Sequence, residues 1–125
     1  MLMRTYSLSF CEIKQLSENV FEAIEHEDVV IDGPCVTESW NFWNKLRTEP
    51  FGLLVHCSDL PLSFVGAQKI GDHPLQLCTA LLLKNEDQKE KIDLVMDIKQ
   101  EIGTPIHHKL FYDRPEALKW LEENV

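Results

Sequence analysis

Missing from this chain is any apolar run long enough to cross a bilayer: the longest, residues 77–83, spans seven positions against the roughly 20 that a membrane helix requires. A basic cluster is missing too. Lys45 and Arg47 lie close together, as do Lys84, Lys89 and Lys91, but acidic neighbours dilute each group. With 21 acidic residues against 12 basic ones, the formal net charge is -9. A phosphate backbone or an anionic membrane surface would be repelled by such a chain, so nucleic acid is not an expected partner and membrane insertion is not expected.

Cysteine is sparse and badly spaced for chemistry. Cys11, Cys35, Cys57 and Cys78 stand far apart with no C-x-x-C, each inside an apolar segment, which reads as buried thiols in a reducing compartment rather than a disulfide framework or a metal site. The opening Met1-Leu2-Met3-Arg4-Thr5-Tyr6 has no apolar stretch closed by a small-residue cleavage site, and a cytoplasmic location is the expectation. Glycine and proline number only 5 and 6, too few for a fibrous or linker-rich chain. No G-x-G-x-x-G, Walker, G-x-S-x-G or H-E-x-x-H motif occurs, so no cofactor is implied.

Two adjacent pairs tempt a chemical reading. His56-Cys57 would place a base beside a nucleophile, but neighbours on a strand point to opposite faces and cannot easily share a proton. His107-His108 fails as a two-ligand metal clamp for the same reason. One imidazole partly buried and one exposed accounts for the second pair. The acidic positions Glu86, Asp87 and Glu90 suit the positive end of a helix dipole and need no acidic docking patch to explain them.

What is present is the pattern of one domain spanning residues 1–125: 44% apolar and 26% charged residues at a length that buries its own core. Residues 6–13 alternate and residues 19–25 continue the alternation, predicting a β-hairpin. Asp32-Gly33-Pro34 opens a helix whose Val36, Trp40, Trp43 and Arg47 recur at helical spacing, so that the two tryptophans and Leu46 form an apolar stripe meant for a sheet. Residues 51–57 are nearly continuous in apolar character, as in a strand buried on both faces. Ser63 can cap a short helix that ends near Gly71. Residues 77–83 form the next buried strand, and Asn85 opens a long helix that Gly103 and Pro105 end. Residues 106–112 are a last strand, and Asp113-Arg114-Pro115-Glu116 caps a final helix. The order ββαβαβαβα predicts an α/β fold: a largely parallel, mixed sheet with helices packed on it and an antiparallel edge.

That order, together with Leu60-Pro61-Leu62-Ser63-Phe64-Val65-Gly66 after a buried strand and Lys109-Leu110-Phe111-Tyr112-Asp113-Arg114-Pro115-Glu116-Ala117-Leu118-Lys119-Trp120-Leu121 at the end, resembles small bacterial SpoIIAA-like, STAS-type proteins over almost the whole chain. The resemblance implies a STAS-like fold and a non-catalytic regulatory or protein-interaction module of anti-anti-sigma type, with an unidentified protein partner. A carrier or sensor of a small apolar, lipid-like ligand is the alternative, and an enzyme comes third. It also implies Ser63 as the phosphoacceptor position and Ser58, Asp59, Ser63 and Phe64 as the partner or ligand face. In place of the Asp, small hydroxyl and Gly pattern of the anti-anti-sigma members, this chain has Leu62-Ser63-Phe64, with Asp59 four residues earlier.

Overall fold

The computed structural model describes residues 4–26, 33–56, 73–84, 86–87, 89–90, 93 and 108–125. Among the described residues, six strands, β1 (Thr5–Ser7), β2 (Cys11–Gln15), β3 (Val20–Glu25), β4 (Phe51–His56), β5 (Gln76–Leu82) and β6 (His108–Phe111), form one sheet in sequential order. β1 to β3 pair antiparallel, and β3 to β6 pair parallel. Helices α1 (Gly33–Leu46) and α2 (Arg114–Asn124) accompany it. Glu86, Asp87, Lys89, Glu90 and Asp93 are helical, at the start expected for the long helix. The mixed α/β sheet is as predicted, and the apolar segments of β4 and β5 are its interior neighbours.

The amino end differs from the hairpin expected. Residues 6–13 do not run as one strand: the chain reverses at Leu8–Phe10, where the Leu8 N–H donates to the Cys11 carbonyl at 2.8 Å. Glu38 of α1 holds the reversal, accepting the Ser9 backbone N–H at 2.9 Å and the Ser9 hydroxyl as well. Alternation alone cannot reveal a turn that is fastened by a helix 29 residues away.

Strand alternation divides the core between two faces. On one face Phe21, Ala23, Phe51 and Leu53 meet α1, whose Trp43 is 1% exposed and stacks on Phe51 with ring centroids 4.2 Å apart. The other face presents Val20, Leu54, Cys78, Ala80 and Phe111 to Ala117 and Leu121 of α2. Of the chain's three tryptophans, Trp43 is fully buried, while Trp40 and Trp120 are half-buried. Arg47 lies one residue beyond α1 and joins elements. It donates to the Glu18 carbonyl at 3.0 Å, Asn19 Oδ1 at 2.7 Å and the Pro50 carbonyl at 3.2 Å. The cap of α2 is as read: the Asp113 side chain accepts the Glu116 N–H, and proline sits in the first turn. Cys11, Cys35 and Cys78 are buried, and burial pushes the Cys78 thiol up to about 11. Cys57 lies outside the described residues.

Gly52 lets α2 close on β4. A Cβ there would come within 2.8 Å of Val125 Cγ1 and 3.1 Å of both Cys78 Sγ and Leu121 Cδ2. Gly52→Ala is therefore expected to cost at least about 1 kcal/mol, the low end for overpacking, because the terminal Val125 can shift. Urea unfolding checks it; an unchanged midpoint would mean that the helix end is not seated on Gly52.

Candidate functional site

β3 to β6 run parallel, so their carboxyl ends share one edge of the sheet, the edge at which open α/β sheets commonly receive ligands. α2 starts at that edge, directly after β6. Period-two alternation from Val20 carries Glu22 onto the α2 face of β3, and alternation from Leu54 carries His56 onto the same face of β4. Capping by Asp113 fixes where α2 begins, and Arg114 is its first residue.

These three side chains meet. Arg114 forks onto the Glu22 carboxylate, Nε donating to Oε2 and Nη2 to Oε1, each at 3.0 Å. The His56 ring donates from Nε2 to Oε2 of the same carboxylate. The Glu22 side chain is 5% exposed, against 28% for His56 and 45% for Arg114. Burial pushes the Glu22 carboxyl up, but the hydrogen bonds and charges of Arg114 and His56 outweigh it and hold the group below its ordinary 4.5. Both carboxylate oxygens are engaged, and the ionised form is favoured. Such a group is a weak proton acceptor and a strong anchor.

Above the pair lies an open recess of about 440 Å³ lined by His56, Leu82, Leu83, Lys84, Tyr112 and Arg114. The Tyr112 hydroxyl donates to Glu86 Oε1 at 3.1 Å, tying the rim to the helical residues that follow β5. The lining mixes two leucines with cationic and hydroxyl groups. Among the described residues, no group of three or more His, Cys, Asp or Glu side chains is placed to hold a metal ion.

Ser58, Asp59, Ser63 and Phe64, expected from the sequence as the partner or ligand face, lie outside the described residues, as does His107. His56, set aside in the sequence with Cys57, is the end of β4 and a partner of the buried Glu22. Glu22 and Arg114 carried no sequence signal. Glu22 reads as a single polar residue within the mostly apolar stretch of residues 20–24, and its guanidinium partner stands 92 residues away.

No protein-family model matches this chain, and no curated protein matches it. Among solved structures, it is similar to the crystal structure of an uncharacterized protein of the DUF3478 family with a SpoIIAA-like fold from Shewanella loihica PV-4. The TM-score is 0.52 at 16% identity, covering 96% of this chain and 92% of that one. The likeness is one of fold, and this chain has a SpoIIAA-like α/β fold. Among the described residues, no helix is long and apolar enough to cross a membrane.

Proposed function

We propose that this chain is a non-catalytic interaction module that offers the carboxyl edge of its parallel strands to a protein partner. The observation that carries the reading is the use made of the buried Glu22 carboxylate at that edge. Glu22 is consumed by Arg114 and His56, so the charge holds β3, β4 and the start of α2 in one shape rather than waiting to move a proton. Over this rigid base, Tyr112, 54% exposed, and Arg114 stand at the rim. Both residue types are favoured where one protein grips another. Ser63, if phosphorylated as the resemblance implies, would change the charge offered to the partner.

The test compares co-purification from the native host for the wild type, the rim variants Tyr112→Ala and Lys84→Glu, the modification variants Ser63→Ala and Ser63→Asp, and a control, Lys45→Glu. The expected result is one partner retained by the wild type and by Lys45→Glu, with affinity for the rim variants lower by roughly tenfold or more. Rim variants that bind as well as the wild type would overturn the assignment of this edge.

A second reading rests on the recess itself, where Leu82 and Leu83 sit among His56, Lys84 and Arg114. That lining suits a small amphipathic ligand with an anionic head. Native mass spectrometry of gently purified protein decides for this reading if a small molecule leaves only on unfolding, and against it if the chain's own mass is all that is seen.

A further inference from the structure

His73 opens the turn that delivers the chain into β5. Pro74 is its second residue, as suits a β-turn, and the Gln76 N–H closes it onto the His73 carbonyl at 3.0 Å. The Leu75 carbonyl accepts the Phe51 N–H at 2.8 Å, so the turn is fastened to the first residue of β4 as well. Inside this turn the His73 ring uses both of its nitrogens. Nε2 bonds Asn44 Oδ1 of α1 at 2.9 Å, and Nδ1 accepts the Leu75 backbone N–H at 3.1 Å. The residue is 5% exposed, with Trp40 edge-on at 5.0 Å and Phe51 at 6.2 Å.

A ring that donates at one nitrogen and accepts at the other is a neutral imidazole in one tautomer. Imidazolium carries a proton on both nitrogens, so a second proton would set an N–H against the Leu75 N–H and leave both without an acceptor. Among the described residues, the groups packed on the ring are Trp40 and Asn44 of α1, Phe51 of β4 and Leu75 of the turn, none of them charged or titratable.

We propose that His73 is an acid-sensitive latch in the turn before β5, closed while the neutral ring accepts the Leu75 N–H and released at that bond when Nδ1 takes a proton, with Nε2 still held by Asn44 of α1. The latch lies at the amino edge of the parallel strands, opposite the Glu22 cluster, and stands independently of the function proposed for that site. Burial holds the His73 titration below the ordinary 6.5, in keeping with a closed latch near neutrality. A depressed histidine contributes stability above 6.5 that is lost as the pH falls from there through the lower folded value.

Nuclear magnetic resonance of the whole chain tests this, following the His73 ring, the Leu75 amide and the Asn44 side-chain amide in the wild type and in His73→Gln. Glutamine has an acceptor and a donor but does not titrate in this range. In the wild type the His73 midpoint is expected below 6.5. The Leu75 and Asn44 signals should move with that same midpoint, while the Ala23 amide of β3 stays in place. Opening at Leu75, read by hydrogen exchange, should rise by up to about tenfold per pH unit across the window and stay flat in His73→Gln. A His73 midpoint at or above 6.5, or a Leu75 amide unmoved through it, overturns the latch. Should His73→Gln fail to fold, the wild-type titration decides alone.

Discussion

Trp43→Ala is expected to remove about 3–5 kcal/mol of folding stability, a large part of the roughly 5–15 kcal/mol that a domain commands. Trp43 is the largest fully buried side chain among the described residues. It touches Phe51 at 4.2 Å, Phe42 at 4.8 Å and Phe21 at 5.2 Å between ring centroids. Truncation therefore opens a void between α1 and two strands whose aromatic walls cannot collapse together without moving the helix. Thermal unfolding followed by circular dichroism should show a midpoint lower by roughly 10–20 °C. Trp40→Ala, at a half-buried position, should cost less. A loss below about 1.5 kcal/mol at Trp43 would mean that α1 does not depend on this contact.

Arg114→Ala is expected to cost about 2 kcal/mol, whereas Glu22→Leu should change stability by less than about 1 kcal/mol. The asymmetry follows from burial. Removing the guanidinium leaves a carboxylate that is 5% exposed with only His56 to face it, while removing the carboxylate leaves two groups, 28% and 45% exposed, that water can reach. Figures for fully buried pairs run to about 3–5 kcal/mol, and the exposure of Arg114 reduces them here.

The same pair sets an acid limb. Because the folded state holds Glu22 below its ordinary 4.5, the unfolded chain takes up the proton first as the pH falls. The Glu22 contribution is thus complete above 4.5 and is lost as the pH drops from there through the lower folded value. Urea titrations at stepped pH should show a shallower loss in Glu22→Leu than in the wild type. Equal slopes, or a Glu22→Leu penalty exceeding that of Arg114→Ala, would remove the cluster from its anchoring role.

Much of this fold was legible in the sequence because its signals are short-range. The nearly continuous apolar character of residues 51–57 and 77–83 predicts buried strands, and they became the interior neighbours β4 and β5. Asp113, Pro115 and Glu116 announce the start of α2 through contacts within a single turn. The spacing of Trp40 and Trp43 set the face that α1 turns to the sheet. Each of these depends on backbone period or on a cap satisfied by a near neighbour, which a local pattern can carry.

Tertiary structure alone decided the reversal at Ser9, held by Glu38, and the fate of Glu22. Alternation puts Glu22 on the same side of β3 as Val20, where α2 packs, and the carboxylate is kept there because Arg114 and His56 arrive from 92 and 34 residues away. His73 is similar: its sequence neighbour Pro74 foretells a turn, but its neutral ring is fixed by Asn44 of α1, 29 residues earlier. Apolar burial is nonspecific and nearly additive, so composition and period reveal it. The state of a buried polar group is set by whichever partner geometry brings within about 3 Å, and that distance exists only once the chain has folded.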